Sequence, residues 1–406
     1  MVESSYPMLS PEEAFQCVVE SLNPLSPCRQ PIDDALGQVL AEEIHAAENM
    51  PPFPSSAMDG YAVIAEDDSP EFRVLGEQDA GHVHAFYVHP GTVIRIMTGA
   101  ALPDGANAVI PVEYSNESEG VVRFTERFPV GANVRPVGQD LSAGDLVLSP
   151  GALLGPAEIG LLATMGCSEV LVYPRPRVAI MATGDELVPL GHPLAPGQIR
   201  DSNTHALAAM IAQIGGVPIV QGIIPDIEEE LESAILEGLR RADMLLTSGG
   251  VSMGSRDLIK PILEKLGEIH FGRIAQKPGK PTTYATVRGK PVFGLPGFPV
   301  SSLISTELYV RPALRKMAGF TTLQRPRLTV ELSHSIRHTP DRTEFQRAIV
   351  TWRAGRAFAR NTGDQVSGRL RSLVGANALL RLPEGVSSFQ AGDEVEAILL
   401  IEAIEE

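Results

Sequence analysis

The chain has 406 residues, of which 44% are hydrophobic, and its net charge is −17 at pH 7. This length predicts two to four domains rather than a single core. The acidic balance, without a cluster of Lys and Arg, argues against a nucleic-acid surface, so an anionic ligand would need a local basic pocket.

The N-terminus and the cysteines favour a cytoplasmic protein. The opening segment MVESSYPMLSPEEAF carries an early acidic residue and no apolar stretch, so no signal peptide is evident. No apolar run reaches the length of a membrane span, and we expect no membrane partner. Cys17, Cys28 and Cys167 share no metal or redox spacing, which favours free thiols in a reducing compartment.

In the first half, helical patterns precede a β-rich segment. Apolar residues recur at helical spacing from Ala14 to Leu22 and again from Leu36 to Ile44, which predicts two helices. A proline-rich segment, MPPFPSS, then marks a boundary. Short β-runs with turn residues follow up to about residue 141 and predict a small β-domain.

Strands and helices alternate from residue 177 onward. RVAIMAT, VPIVQGIIP, DMLLTS, EIHFGRIA and PVFGLP are predicted strands with helical patterns between them. This alternation predicts a doubly wound sheet with helices on both faces, in which ligands bind beyond the carboxyl ends of the strands. The loops TGDEL, PD, TSGGVSMG and GLPGFP all lie at those ends.

The predicted fold is multidomain α/β plus β. We expect four domains: a discontinuous N-terminal α+β domain (1–48 and 142–176, with a helix at 157–164), an inserted β-domain (49–141), the α/β sheet domain (177–325) and a C-terminal β-barrel-like domain (326–406).

Two loops of the sheet domain carry an anion-binding pattern. The paired Gly249 and Gly250 follow a predicted strand, where backbone N–H groups and a helix N-terminus can approach an anion. Lys277 and Lys280 bracket a Pro-Gly turn, and lysines near a carboxylate suit a phosphate or oxyanion that also carries a divalent metal. Alternatively, Gly249 and Gly250 form an ordinary strand–helix turn, and Lys277 and Lys280 are solvated loop residues without a ligand.

Motifs along the whole chain resemble those of the molybdopterin molybdenumtransferases, the bacterial MoeA and gephyrin E-domain group. The motifs are SAMDGYA (56–62), IMTGA (96–100), VRPVGQD (134–140), MATGDELV (181–188), IRDSN (199–203), TSGGVSMGSRD (247–257), QKPGKP (276–281), GLPGFPVSS (294–302), RTEFQR (342–347) and QVSGRLRSLVGANALL (365–380). One departure is Phe298, which stands where the family's Leu-Pro-Gly-Asn-Pro-Val-Ser turn has asparagine. The choice between molybdate and tungstate stays open.

The resemblance implies an elongated four-domain homodimer whose sheet domain is similar to the molybdopterin-binding fold. The implied reaction inserts molybdenum from molybdate into adenylylated molybdopterin, releases AMP and depends on Mg²⁺. The implied cleft lies between the sheet domain of one subunit and the β-domain of the other. Implied partners are the two substrates and, transiently, molybdopterin adenylyltransferase and molybdoenzymes.

The resemblance also assigns site residues. Glu186, Asp226 and Asp257 each follow a strand closely, so they can converge on one Mg²⁺ held partly by substrate phosphate. The implied molybdate pocket comprises Lys280, Pro281, Arg342 and Ser367. Lys277 and Lys280 are compact positive charges that suit phosphate and molybdate. Ser252 and the Gly249–Gly250 backbone are expected to cradle the pterin phosphate, and the resemblance implies that Asp59, Thr98, Arg135 and Asp140 reach in from the second subunit.

Several of these residues could instead have an ordinary structural role. Asp226 could be a helix N-cap, and Asp257 could complement a helix dipole. Asp59 could belong to a simple turn, Thr98 could end a strand, and Arg342 could be an exposed strand residue. Two other functions compete with this one. A molybdopterin adenylyltransferase is disfavoured by the RTEFQR and QVSGR motifs, and a gephyrin-like scaffold is disfavoured because no extra N-terminal domain or long linker is seen.

Overall fold

The computed structural model describes residues 6–251, 258–401 and 404–405. The chain divides into two compact units. The main unit comprises Met1–Gln30, Ala35–Ala41 and Leu171–Glu406, and the second unit comprises Pro31–Asp34 and Glu42–Val170. Within the described ranges, no helix is both long enough and apolar enough to cross a membrane. Cys17, Cys28 and Cys167 are free thiols, as predicted.

The first predicted helix is present, and its start follows from local chemistry. Helix α1 spans Pro11–Glu20. The Ser10 side chain accepts a hydrogen bond from the Glu13 amide at 3.2 Å, and the Glu13 carboxylate accepts one from the Ser10 amide at 2.8 Å. This reciprocal capping satisfies two helix-start donors and lowers the pKa of Glu13.

The second predicted helix, from Leu36 to Ile44, is wrong. Gly37 adopts a left-handed conformation (φ +76°), which ends any helix at that point. Leu40 pairs with Val172 in a β-bridge, and the Val39 carbonyl accepts the Tyr173 amide at 2.9 Å. Val39, Leu40 and Ile44 are buried although the chain is extended here, and Leu36 is exposed, so the helical spacing of these residues does not reflect a helix.

The second unit is rich in β-structure, as predicted. The strands of this half of the chain are β1 (Cys28–Pro31), β2 (Ile44–His45), β3 (Ser55–Ser56), β4 (Gly60–Val63), β5 (Phe72–Gln78), β6 (Thr92–Ile96), β7 (Ala108–Pro111), β8 (Ser115–Ser118), β9 (Val121–Phe124), β10 (Val134–Arg135), β11 (Leu146–Leu148) and β12 (Glu169–Val172). Six of them form a mixed sheet in the order β7-β4-β6-β5-β9-β8. Tyr61 and Ala62 point into two different apolar clusters, so both faces of the sheet are covered. The predicted helix is α2 (Pro156–Thr164).

The sheet of the main unit is doubly wound. Its region contains β13 (Arg177–Thr183), β14 (Leu187–Val188), β15 (Ile199–Arg200), α3 (Asn203–Ile214), β16 (Val217–Ile224), α4 (Glu228–Arg241), β17 (Met244–Ser248), α5 (Ile259–Leu266), β18 (Gly267–Phe271), β19 (Gln276–Lys277), β20 (Thr283–Val287), β21 (Lys290–Leu295), α6 (Pro299–Ser305) and α7 (Arg311–Met317), with a π-helical turn at Thr306–Val310. The sheet order is β16-β13-β17-β21-β20-β18. Helices α1, α3 and α7 cover one face, and α4 and α5 cover the other.

The strand order places the predicted site loops along one edge of this sheet. Strands β16, β13, β17 and β21 are parallel, so the loops that follow them leave at the same edge. Strand β20, which had not been predicted, runs antiparallel to β21, so the lysine loop before it also reaches that edge. Along the edge, Asp226 and Glu186 therefore come first, Gly249 and Gly250 next, and the lysines last.

The C-terminal region forms the predicted barrel. Its strands are β22 (Arg327–Leu332), β23 (Ile336–Arg337), β24 (Thr343–Arg353), β25 (Arg356–Asn361), β26 (Ala378–Leu382), β27 (Ser388–Phe389), β28 (Glu394–Leu399) and β29 (Ile404–Glu405). The ring β24-β25-β22-β28-β26 closes through the pairing of β26 with β24. Strand β19 pairs with β24 in parallel, with Lys277 opposite Glu344, and so joins the lysine loop to the barrel.

Core packing in the main unit predicts a large effect of one substitution. Phe293 on β21 is fully buried, and its ring centroid lies 4.7 Å from that of Tyr284. We expect Phe293→Ala to lower the free energy of unfolding by about 3–5 kcal/mol, measured by urea denaturation. Phe298→Ala is the control, because that ring is 63% exposed and its loss should change stability by no more than about 0.5 kcal/mol. Equal effects of the two substitutions would contradict this core assignment.

Candidate functional site

A cleft of about 880 Å³ lies at the carboxyl edge of the main-unit sheet. Its volume is within the range of sites that hold small organic ligands. The described residues that the sequence assigned to the sheet and barrel regions all line it: Glu186, Asp226, Gly249, Gly250, Lys277, Lys280, Pro281, Arg342 and Ser367. Two assigned residues, Ser252 and Asp257, lie outside the described residues, so their roles stay predictions.

The acidic end of the cleft is formed by Glu186 and Asp226. Glu186 is exposed, and the half-buried Asp226 carboxylate accepts a hydrogen bond from the Thr183 hydroxyl at the end of β13. Helix α4 has Ile227 at its N-cap and no side-chain capping bond, so Asp226 does not serve as the N-cap. Carboxylate oxygens of this kind are the ligands that Mg²⁺ prefers.

A complete metal site is not formed by the described residues alone. Within ranges 6–251 and 258–401, no group of three or more His, Cys, Asp or Glu side chains could hold a metal ion. Glu186 and Asp226 line one cleft, but the third predicted ligand, Asp257, is outside those ranges. The three-carboxylate Mg²⁺ site therefore remains a prediction.

Gly249 and Gly250 form the middle of the cleft, and their backbone requires glycine. Both have positive φ, and a Cβ at Gly249 would lie 2.5 Å from the Thr183 carbonyl oxygen. The Gly249 amide donates to the Leu295 carbonyl at 3.1 Å, so it is already engaged. The contribution of Gly249 is therefore the close approach of two loops rather than an amide offered to an anion.

Asn203 holds together the loops that follow β17 and β21, and the sequence assigned no role to it. Its side-chain amide donates to the Ser248 hydroxyl and to the Gly297 carbonyl, both at 2.8 Å, and the residue is buried. The turn before α6 is thus tied down by Asn203, although Phe298 offers no side-chain hydrogen bond there. The signal in the sequence was the IRDSN motif, whose asparagine begins α3.

The lysine loop at the basic end is rigid. The buried Gln276 side chain donates to the Pro278 carbonyl at 2.9 Å and accepts a hydrogen bond from the Tyr309 hydroxyl. The Thr282 hydroxyl donates to the Gly279 carbonyl at 2.7 Å. Burial raises the pKa of Tyr309, so its hydroxyl stays a donor. These bonds fix the turn that carries Lys277 and Lys280.

Three cationic side chains line this end of the cleft: Lys277, Lys280 and Arg342. Lys280 is exposed, and the Lys277 ammonium lies 3.2 Å from the Glu344 carboxylate. Arg342 directly precedes β24, and its Nε donates to Asp341 at 2.9 Å, which holds the pKa of that carboxyl below its ordinary value. This is the local basic pocket that an acidic protein needs for an anion.

Arg347 is hydrogen-bonded to the loop that carries Ser367, because its Nη2 donates to the Val366 carbonyl at 3.4 Å. Arg347 is almost fully buried, and its Nε donates to the Ser372 hydroxyl at 3.0 Å. Burial lowers the pKa of Arg347 to about 10. The Val300 amide donates to the Ser367 carbonyl at 3.2 Å, which ties the loop to the start of α6. These hydrogen bonds hold the loop that presents Ser367 to the cleft.

The remaining assigned residues belong to the second unit. The Thr98 amide and hydroxyl both donate to the Asp59 carboxylate, at 2.7 and 2.6 Å, and these bonds lower the pKa of Asp59. Arg135 and Asp140 are exposed and line a separate cavity of about 790 Å³ within that unit. The structure therefore pairs Asp59 with Thr98, and it places Arg135 and Asp140 at one cavity.

Family models match most of the chain. The MoeA N-terminal region (domain I and II) matches residues 9–166, a probable molybdopterin binding domain matches 179–316, and the MoeA C-terminal region (domain IV) matches 329–400.

Individual relatives agree with these matches. The chain is 35% identical to molybdopterin molybdenumtransferase 2 of Mycobacterium tuberculosis, over 96% of this chain and 99% of the relative. It is 35% identical to gephyrin of Dictyostelium discoideum, over 98% of this chain but only 63% of gephyrin. A solved molybdopterin biosynthesis MoeA protein of Pyrococcus horikoshii is similar with a TM-score of 0.81 and 34% identity, covering 98% of this chain and all of that one.

Proposed function

The chain belongs to the MoeA family of molybdopterin molybdenumtransferases, and from that membership we propose that it inserts molybdenum from molybdate into adenylylated molybdopterin, with release of AMP and dependence on Mg²⁺. The coarser statement follows directly from the family: the chain is a transferase of molybdenum cofactor biosynthesis. We further propose that it acts in the cytoplasm.

The distribution of charge in the cleft is the observation that supports this proposal. Carboxylates line one end and cations line the other, with a glycine loop between them. The proposed substrates combine phosphate groups, a divalent cation and an oxyanion, and these need both kinds of side chain within one site. A site for a phosphate alone would not need the acidic end.

Each end then has a proposed role. Glu186 and Asp226, together with Asp257, would hold Mg²⁺, which would neutralise charge on the substrate phosphate oxygens. Lys277, Lys280, Arg342 and Ser367 would bind molybdate, with Pro281 shaping the turn. Gly250 and Ser252 would cradle the pterin phosphate, and Gly249 would hold the loops close enough for this.

Asp59, Thr98, Arg135 and Asp140 are proposed to act from the second subunit of a homodimer. In that arrangement they would complete the cleft of the partner. The protein would take its adenylylated substrate from molybdopterin adenylyltransferase and deliver its product to molybdoenzymes.

A single incubation tests the proposed function. The purified protein is mixed with adenylylated molybdopterin, Mg²⁺ and molybdate, and AMP release and cofactor activity are measured. We expect both, and we expect neither when molybdate is omitted. Consumption of ATP with free molybdopterin would instead indicate an adenylyltransferase, and absence of all turnover would indicate a scaffold.

Mixed dimers test the shared cleft. Asp59→Ala and Glu186→Ala homodimers should both be inactive, because each lacks one half of every cleft. After random mixing, about half of the dimers are heterodimers, and each has one intact cleft, so roughly a quarter of wild-type activity should return. Native mass spectrometry confirms heterodimer formation, and the unmixed variants are the controls. Confirmed heterodimers without activity would rule out the shared cleft.

A further inference from the structure

Two buried polar groups near the cleft lack the hydrogen bonds that their burial requires. The His338 side chain is fully buried, and that of Glu344 is 3% exposed. Among the described residues, neither ring nitrogen of His338 nor the Glu344 Oε2 atom has a hydrogen-bond partner. The His338 Nδ1 and the Glu344 Oε2 lie 3.6 Å apart. Buried polar atoms are almost always hydrogen-bonded, and a shift of roughly half an ångström would bring these two atoms within hydrogen-bonding distance.

The other oxygen of Glu344 connects this pair to the cleft. Glu344 Oε1 lies 3.2 Å from the Lys277 ammonium, and the β19–β24 pairing sets the two residues opposite each other. Lys277 is 44% exposed and lines the cleft, whereas Glu344 is enclosed. Glu344 therefore has the cleft lysine on one side and His338 on the other.

Few other charged groups face His338 and Glu344 from the strands and loops packed around them. The His338 ring stacks on Phe389 of β27, a strand that contains no ionisable residue, at a centroid distance of 5.8 Å. Strand β26 places Leu382 opposite Glu344. On β24, Arg347 interacts electrostatically with Glu344. Between His338 and β24, Asp341 and Arg342 pair with each other, and Asp341 also interacts electrostatically with Lys277.

We propose that His338 takes up a proton from solvent when an oxyanion binds at Lys277, so that oxyanion binding and protonation of His338 are coupled through Glu344. This inference rests on the proposed function, in which Lys277 contacts molybdate. His338 and Glu344 are positioning residues, because they act on the oxyanion only through Lys277.

The coupling follows from the cost of an unpaired buried charge. A dianion in the cleft draws the Lys277 ammonium toward itself and weakens its pairing with Glu344. The Glu344 carboxylate, enclosed by protein, then needs a second cation. Protonation gives His338 an Nδ1–H donor and a positive charge, and a small shift closes the 3.6 Å gap to Oε2. Hydronium or the buffer acid gives up one proton as one bond to hydrogen breaks, one N–H bond forms on His338, and no other covalent bond changes.

The sign of the pH dependence follows from this uptake. Because the bound state holds more protons than the free state, molybdate affinity should fall as pH rises, by up to about tenfold per pH unit at full coupling.

Isothermal titration calorimetry tests the coupling. Molybdate is titrated into the full-length protein with Mg²⁺ at pH 8, once in HEPES and once in Tris. The difference in binding heat between buffers of unequal ionisation enthalpy gives the number of protons taken up. We expect wild type to take up a substantial fraction of a proton, roughly 0.5–1. His338→Phe keeps the ring stack on Phe389 but cannot take a proton, and Glu344→Gln removes the charge that demands one, so neither should take up a proton.

The two variants also separate positioning from folding. His338→Phe should bind molybdate about tenfold more weakly at pH 7 and lose the pH dependence. Glu344→Gln frees Lys277 and should bind at least as tightly as wild type at pH 8, which a misfolded variant could not do. His334→Phe, on the same region of the chain, is the control and should behave as wild type. Molybdate binding without proton uptake, or with equal uptake in His338→Phe, overturns the coupling and leaves the proposed function standing. No molybdate binding by wild type overturns both.

Discussion

Glu186→Gln is expected to reduce Mg²⁺-dependent AMP release by at least about a hundredfold while leaving the fold unchanged. Glu186 is exposed at the acidic end of the cleft, so its side chain contributes little to packing. Glutamine keeps the length of the side chain but loses the negative charge that a hard cation prefers. The loss should therefore fall on catalysis and not on stability.

A magnesium titration shows whether the effect involves the metal. AMP release is measured over a range of Mg²⁺ concentrations, and the melting temperature is measured in parallel. Glu228→Gln is the matched control, because Glu228 is also exposed and begins α4, just beyond Asp226. It should retain wild-type turnover and Mg²⁺ requirement. Full activity of Glu186→Gln with an unshifted Mg²⁺ requirement would remove Glu186 from the metal site.

The main-unit sheet and the edge that carries the cleft could be predicted because their causes are local. The apolar runs of β13 and β17 are short and continuous, and α3 and α4 show helical periodicity, so the alternation can be read directly. Once strands are parallel, the loops after them must share an edge. That rule alone brings Glu186, Asp226 and Gly249 to one cleft.

The spacing of apolar residues gave a wrong prediction where buried positions in extended chain happened to recur at helical intervals. Val39, Leu40 and Ile44 are buried although the chain there is extended, whereas Leu36 is exposed, and Gly37 has a left-handed conformation that no helix could continue through. Strand β20 was missed because it lies between a proline-rich loop and a tight turn at Gly289, with few residues to show alternation.

Contacts between distant segments could not be derived from local patterns. Arg342 and Lys277 line the same cleft because β19 pairs with β24 across more than sixty residues, and no spacing in the sequence encodes that register. Its place in the site came from family resemblance. Asn203 and His338 looked like ordinary polar residues, since their importance comes from burial among segments that are remote in sequence.

Lys280→Ala is expected to raise the half-saturating molybdate concentration roughly ten- to a hundredfold, because losing a charge-assisted contact costs about 1.5–3 kcal/mol. Lys280 is exposed at the end of a loop that Gln276 and Thr282 hold rigid, so truncation should leave the loop in place. The affinity for adenylylated molybdopterin should change little, since the phosphate and metal contacts are proposed to lie toward the other end of the cleft.

The assay must therefore separate the two substrates. Molybdate is varied at saturating adenylylated molybdopterin, and the nucleotide substrate is then varied at saturating molybdate. Lys265→Ala is the matched control: Lys265 is an exposed lysine on α5 that pairs with Glu232 at 2.5 Å, and it does not line the cleft. It should shift neither curve. If Lys280→Ala shifted both curves equally, Lys280 would contribute to general charge attraction rather than to a molybdate pocket, because a uniform loss of positive potential weakens every anion alike.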